Sequence, residues 1–116
     1  HIMGDQCLQD VAATLERELR RPGDFVARYG GEEFVIVLPD TDCDGARLVG
    51  EKVRAAVERL ELEHRKSQVA SRVTISCGIS SRHPDKDDVG EIQLLEIADK
   101  SLYQAKKNGR NRVGAC

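Results

Sequence analysis

Residues 28–34 read Arg-Tyr-Gly-Gly-Glu-Glu-Phe and lie between two runs that predict β-strands. Residues 25–27 form a short run before them, and residues 34–38 form an unbroken apolar run typical of a strand buried on both faces. Two glycines between such runs predict a tight hairpin, because glycine tolerates a positive φ. The turn should therefore present two adjacent carboxylates, Glu32 and Glu33, beside backbone that no side chain covers.

A turn of this kind suits a phosphate ligand and a metal ion. Bare glycine backbone lets phosphate oxygens approach N–H groups, and a neighbouring carboxylate can hold Mg²⁺, which completes its coordination with water and phosphate. The alternative is a plain hairpin with a solvated acidic turn. The four turn residues alone leave both interpretations open.

The wider motif carries a resemblance to a known family. Residues 27–34, Ala-Arg-Tyr-Gly-Gly-Glu-Glu-Phe, resemble the signature of GGDEF-domain diguanylate cyclases, in the variant with Glu third. The resemblance implies an enzyme that joins two GTP molecules into cyclic di-GMP, releases pyrophosphate and uses Mg²⁺ or Mn²⁺. It implies that Glu32 binds metal, that Glu33 is a second ligand or the base near the 3′-OH, and that Gly30 and Gly31 leave room for nucleotide.

Length and composition fit one small domain. The chain has 116 residues, of which 40% are apolar and 33% charged, with a net charge of −2. This charge gives no reason to expect a nucleic-acid polymer or an anionic membrane as partner, and no apolar run approaches the ~20 residues that span a bilayer. The cysteines are scattered, which favours reduced thiols in a cytoplasmic protein. They are Cys7, Cys43, Cys77 and Cys116. The resemblance adds the alternative that this is the cytoplasmic domain of a larger sensor protein.

Hydrophobic spacing predicts three helices. The first begins at Asp5, which is placed to cap it, and the second follows an N-cap at Thr41 or Asp42. The third ends at an Asn108-Gly109 C-cap. Its predicted apolar face consists of Leu95, Ala98, Leu102 and Ala105.

The remaining segments predict strands and a loop. Residues 61–71 are polar and predict a loop, residues 73–80 alternate as in a half-buried strand, and residues 112–114 predict a short final strand. Helices alternating with strands indicate an α/β or α+β sandwich.

The resemblance makes the fold more specific. It implies that residues 1–116 are a single GGDEF domain with the ferredoxin-like palm of nucleotidyl cyclases. His1, Gly4 and Asp5 fit the family's Gly-His-x-x-Gly-Asp spacing. The family's N-terminal strand, with its first metal-binding Asp, and its first helix are then missing. We expect such a fragment to be inactive alone and to complete its sheet by another route.

Three further groups acquire roles through the resemblance. Arg21 and Asp24 match an inhibitory Arg-x-x-Asp site that binds the product, although Pro-Gly-Asp also explains a simple turn there. Lys106 and Arg110 match the cations that hold the GTP phosphates, although cations near a helix C-terminus also complement its dipole. Asp5 would accept hydrogen bonds from the guanine base as well as favouring its helix.

Two rival functions remain beside the enzyme. The first is a receptor that only binds cyclic di-GMP through Arg21 and Asp24, and the second is a purely structural dimerisation domain. The enzyme interpretation implies a homodimer, because each domain binds one GTP and two domains must face each other.

Overall fold

A computed structural model of the chain describes residues 4–61 and 73–116, and it has an α+β fold. The predicted loop over residues 61–71 lies outside these ranges except for Glu61. The elements in chain order are α1 (Asp5–Glu18), β1 (Phe25–Gly30), β2 (Glu33–Val37), α2 (Cys43–Arg59) and α3 (Glu91–Lys107).

The starts of the first two helices differ in how they are capped. Asp42, one of the two predicted candidates, is the N-cap of α2, and its side chain accepts a 2.9 Å hydrogen bond from the Gly45 backbone N–H. The prediction that Asp5 caps α1 is wrong. Gly4 is the N-cap, and Asp5 is an acidic residue in the first turn, where it favours the helix through the dipole.

The hydrophobic core lies between α1 and α2, whose apolar faces pack against each other. Burying each aliphatic side chain in this seam contributes about 1.5–3 kcal/mol to stability. One face of the hairpin and the segment after residue 73 pack against it. The buried cluster consists of Val11, Leu15, Val53, Val57 and Val73, with Cys7, Val26, Phe34, Ile36, Val49, Ile75 and Cys77 partly buried around it.

Strands β1 and β2 form the predicted hairpin, and they are the only ladder in the described part of the chain. They pair antiparallel, with Val26 opposite Ile36 on the face toward the helices. The prediction that β2 is buried on both faces is wrong. On the other face, Phe25 pairs with Val37, and these side chains are 53% and 39% exposed because no described residue covers them.

Residues 73–80 are half-buried as predicted, but they form no ladder, which corrects the predicted strand. Their backbone makes one parallel bridge, Cys77 to Val113, and the predicted final strand is reduced to that same bridge. The Cys77 N–H donates to Arg112 O (2.9 Å), and the Gly114 N–H donates to Cys77 O (2.7 Å). A strand needs a partner along its length, and here one residue is paired.

Helix α3 packs on residues 73–80. The Ser101 hydroxyl accepts from the Ile79 N–H at 3.0 Å, and Ser101 and Ala105 are the buried residues of the helix. Leu95 was predicted on the buried face, but it is 40% exposed, so the packed face is rotated toward Ser101. The predicted C-cap at Asn108 is confirmed.

The cysteines correct another expectation. Cys43, the first residue of α2, forms a disulfide with Cys116, and their Cα atoms are 6.0 Å apart. Reduced thiols were expected from the scattered spacing, but residues 73 positions apart in sequence meet in the fold. Cys7 and Cys77 are free thiols. Burial raises the pKa of the Cys77 thiol to about 11.

Candidate functional site

The site begins at the hairpin turn, which is formed by Gly31 and Glu32 between paired Gly30 and Glu33. Gly31 has φ +52, a left-handed conformation that glycine adopts without steric cost. Its ideal Cβ position has no neighbour within 4 Å, so the backbone here is open to a ligand. The register shifts between Arg28 and Gly30, as at a β-bulge, so Tyr29 has no partner in the ladder.

Arg28 holds this turn in place, a role that the sequence did not reveal. Its Nε and Nη2 atoms both donate to the Gly31 carbonyl oxygen, at 2.8 and 2.6 Å. Charge-assisted bonds of this kind are stronger than neutral ones. A cation three residues before the second glycine was the available signal, but it is equally typical of a solvated strand residue.

Beside the hairpin lies a cavity of about 340 Å³, within the size range of ligand pockets. Helix α1 forms one wall and the hairpin forms the other, and Asp5 lies at the start of the helical wall. The cavity therefore offers two carboxylates, a guanidinium and an aromatic ring within one partly apolar space. Its lining residues are Asp5, Leu8, Gln9, Ala12, Glu16, Val26, Arg28 and Phe34.

Glu32 and Glu33 offer the donor atoms that Mg²⁺ prefers. Glu32 is partly buried and already has an interaction within the protein, whereas Glu33 is exposed. Within residues 4–61 and 73–116, no group of three or more His, Cys, Asp or Glu side chains lies close enough to enclose a metal ion. The turn fits Mg²⁺ in the mode that uses one or two carboxylates together with phosphate and water.

Arg21 and Asp24, the second predicted pair, are joined directly. Nε and Nη2 of Arg21 donate to the two carboxylate oxygens of Asp24, at 3.1 and 2.8 Å. The Arg21 side chain is 48% exposed and that of Asp24 only 4%. The bond to Asp24 raises the pKa of Arg21, so the guanidinium stays charged. The Arg21 guanidinium is therefore partly exposed to solvent, and the buried Asp24 carboxylate holds it in place through two hydrogen bonds.

Lys106 and Arg110 lie at the other predicted position, around the end of α3. Both are exposed, and Arg110 has φ 61, within a run of left-handed residues from Gly109 to Asn111. Among the described elements, α3 does not pack against the hairpin, α1 or α2. The structure thus brings Asp5 close to the hairpin and joins Arg21 directly to Asp24.

Comparison with known proteins identifies the chain. Residues 1–112 match the family described as "Diguanylate cyclase, GGDEF domain". The chain belongs to this family. Its Gly30-Gly31-Glu32-Glu33-Phe34 turn is the GGEEF form of the motif for which the GGDEF domain is named.

Curated relatives of this GGDEF domain are longer proteins. Diguanylate cyclase A from Treponema denticola is 41% identical over 113 residues, which is 97% of this chain and 29% of the relative. Diguanylate cyclase DgcP from Pseudomonas aeruginosa is 40% identical over 113 residues, which is 97% of this chain and 16% of the relative. The chain thus spans less than a third of either protein.

Solved GGDEF domains share the fold. The GGDEF domain of DgcB from Caulobacter crescentus, in complex with c-di-GMP, matches with a TM-score of 0.79 at 34% identity, covering 96% of this chain and 63% of that one. The active GGEEF domain of a diguanylate cyclase from Vibrio cholerae matches with a TM-score of 0.71 at 30% identity, covering 96% and 67%. Among the described residues of this GGDEF domain, no helix is both long and apolar enough to cross a membrane.

Proposed function

We propose that this GGDEF domain is a diguanylate cyclase, condensing two GTP molecules into cyclic di-GMP. In each half-reaction, the 3′-OH of one GTP attacks the α-phosphorus of the other, the bond to the β-phosphate oxygen breaks, and pyrophosphate leaves. The observation that carries the proposal is the open, Arg28-braced turn at Gly31, with two carboxylates beside a cavity of about 340 Å³.

The cavity is the proposed guanine site. Asp5 at its rim can accept hydrogen bonds from the guanine N1–H and amino groups, which adenine does not offer in the same arrangement. The partly apolar walls from α1 and β2 suit an aromatic base. Because Asp5 is not occupied in capping α1, its carboxylate is available for this role.

The acidic turn is the proposed metal and catalytic site. Glu32 would hold Mg²⁺ or Mn²⁺, while Glu33 would act as a second ligand or as the base near the 3′-OH. When bound, the metal would neutralise triphosphate charge and lower the pKa of the attacking hydroxyl. Gly30 and Gly31 place no side chain over the turn, so phosphate oxygens can approach its backbone.

Lys106 and Arg110 are the proposed phosphate-binding cations. Both are exposed around the end of α3, so each can present its positive charge to a triphosphate. Because each domain would bind one GTP, the active form would be a homodimer with two such sites facing each other. These assignments rest on the family resemblance and on the charge and exposure of the two side chains.

Arg21 and Asp24 are the proposed inhibitory site for the product. An outward guanidinium held by a buried carboxylate suits a phosphodiester, because a charge-assisted hydrogen bond to a phosphate oxygen is strong. The same pair favours the rival function, a receptor that binds cyclic di-GMP without making it. Turnover of GTP separates the two functions.

The deciding experiment uses the full-length protein that carries this domain. We expect Glu32→Gln to lower cyclic di-GMP synthesis by at least about a hundredfold, because it removes a negatively charged metal ligand at nearly constant volume. Replacing only a residue that hydrogen-bonds to a metal ligand already lowers activity or metal affinity by about 10- to 100-fold. Synthesis is measured from GTP with Mg²⁺ by chromatography.

The matched control is Glu96→Gln on the exposed part of α3, which should keep normal synthesis. Cyclic di-GMP binding by Glu32→Gln should also persist, because Arg21 is untouched. Synthesis by Glu32→Gln at the wild-type rate would remove Glu32 from the mechanism. Binding without any synthesis by the wild-type protein would favour the receptor.

Two further parts of the proposal concern the protein as a whole. We expect the domain to work in the cytoplasm, where GTP is available, as one part of a larger signalling protein. We also expect residues 1–116 alone to make no cyclic di-GMP, because the family's first metal-binding Asp is not among them. Robust synthesis by this isolated chain would contradict the second expectation.

A further inference from the structure

Thr41 joins the end of the hairpin to Arg21. Its Oγ1 accepts a 2.6 Å hydrogen bond from Arg21 Nη2 and donates a 2.9 Å bond to the Pro39 carbonyl oxygen. Its own carbonyl oxygen accepts from Ser81 Oγ at 2.9 Å. The next residue, Asp42, caps α2. Thr41 is therefore held on its N-terminal side by the bond to Pro39 and on its C-terminal side by the start of α2.

The geometry determines which way the Thr41 hydroxyl points. A hydroxyl has one proton and two lone pairs. Since its proton is directed at Pro39 O, its lone pairs remain for Arg21. Pro39 also lies close to Gly23, the residue before Asp24: a Cβ placed on Gly23 would be 3.4 Å from Pro39 Cγ.

Two partners therefore fix the plane of the Arg21 guanidinium. Asp24 receives hydrogen bonds from Nε and Nη2, and Thr41 receives the second proton of Nη2. Nη1 makes no hydrogen bond with any residue in the described ranges, so this edge is available to a ligand. Without Thr41, a side chain that is 48% exposed would keep only the contact with Asp24, and the guanidinium could tilt about it.

We propose that Thr41 is a positioning residue for the inhibitory site, holding Arg21 so that Nη1 faces the phosphodiester of the cyclic dinucleotide. The inference rests on the proposed function of Arg21 and Asp24. Thr41 itself contacts no ligand in this scheme. Its hydroxyl links product binding to the end of β2, the strand that leaves the acidic turn.

The test compares Thr41→Val, which removes the hydroxyl at constant shape, with Thr41→Ser, which keeps it. In the full-length protein, the dissociation constant for cyclic di-GMP is measured by calorimetry and the KM for GTP by initial rates. Because Thr41→Val removes one hydrogen bond to a charged group at a half-exposed site, we expect it to weaken product binding by roughly tenfold. Thr41→Ser should bind within about twofold of wild type, and KM for GTP should change less than product affinity in both variants.

Arg21→Ala distinguishes the two levels of the proposal. If Arg21→Ala weakens cyclic di-GMP binding while Thr41→Val and Thr41→Ser bind like wild type, the role of Thr41 is wrong and the inhibitory site stands. If Arg21→Ala binds cyclic di-GMP normally, the inhibitory site is wrong and the role of Thr41 fails with it. Thermal unfolding of each variant is recorded, and Thr41→Ala replaces Thr41→Val if the latter does not fold. Weakening by Thr41→Ser equal to that by Thr41→Val would also overturn the inference, because the hydroxyl would then not matter.

Discussion

The buried thiol of Cys77 makes the stability of the domain depend on pH. Burial raises its pKa from an ordinary value of 9.0 to about 11, the charge of Arg54 lowers it and that of Glu51 raises it. Below pH 9 the thiol keeps its proton in both the folded and the unfolded chain. As the pH rises from 9 toward 11, only the unfolded chain loses the proton, so folding becomes less favourable.

We therefore expect the free energy of unfolding to fall by about 2–3 kcal/mol across this pH range because of Cys77 alone. Denaturant unfolding at about pH 8 to 11 measures this free energy. Subtracting the pH profile of Cys77→Ser from that of the wild type leaves the contribution of the Cys77 thiol. Cys7→Ser, which changes the other free thiol, should keep the decline. Identical pH profiles for wild type and Cys77→Ser would contradict the prediction.

At the scale of elements, Asn111 connects the segment after α3 to α2. Its side-chain oxygen accepts from Arg54 Nη1 at 2.8 Å, its amide group donates to the Glu58 carboxylate, and its backbone N–H donates to Ser76 Oγ at 3.2 Å. Asn111 has φ 47, a left-handed conformation that asparagine tolerates better than most residues. This network holds the turn that carries Arg110.

We expect Asn111→Ala to destabilise the domain by roughly 2 kcal/mol, because alanine loses both side-chain bonds and disfavours the left-handed conformation. Asn111→Gly, which loses the same bonds without the steric penalty, should cost about 1 kcal/mol less. Denaturant midpoints measure both. Equal stability of the alanine and glycine variants would show that the backbone conformation contributes nothing here.

The same elements show what the sequence could predict. The hairpin, α1, α2 and the end of α3 were predictable because glycine turns, helical spacing and caps such as Asp42 act within a few residues. Residues 73–80 were not, because an extended run becomes a strand only when a distant partner pairs with it. Leu95 was misplaced because it and its neighbour Leu94 both fit helical spacing, and only the packing on Ile79 through Ser101 decides between them.

The candidate site divides in a similar way. Gly31, Glu32 and Glu33 could be predicted because they are adjacent in sequence and resemble a family signature. Arg28 and Thr41 could not, because their roles depend on which carbonyl and which guanidinium they meet in three dimensions. The cavity that includes Asp5 likewise depends on how α1 lies against the hairpin.

At the scale of the whole molecule, the Cys43–Cys116 disulfide joins the start of α2 to the end of the sequence across 73 positions. Closing a loop of that length restricts the unfolded chain, which the chain-entropy relation converts to about 4 kcal/mol of stability. Disulfides are rare in the cytoplasm, where thiol reductants keep cysteines reduced. The proposed location would therefore expose this bond to reduction.

We expect a dithiol reductant, or the double variant Cys43→Ser and Cys116→Ser, to lower the free energy of unfolding by up to about 4 kcal/mol. Denaturant unfolding with and without reductant measures the loss. Cys7→Ser is the matched control, and it should respond to reductant like wild type because the disulfide is intact. A double variant as stable as wild type in oxidising buffer would contradict the prediction.

The same bond makes residues 43–116 a covalent ring that contains α2 and α3. A protease that cuts one peptide bond inside this ring opens it without separating two fragments, so the nicked molecule keeps its mass, apart from one added water, until the disulfide is reduced. A chain pulled from its two ends would also lengthen less, because the disulfide keeps residues 43–116 from being extended. Each of these residues would otherwise add up to about 3.3–3.6 Å to the stretched length. The described fold can thus be nicked within its C-terminal two-thirds and still move as one piece.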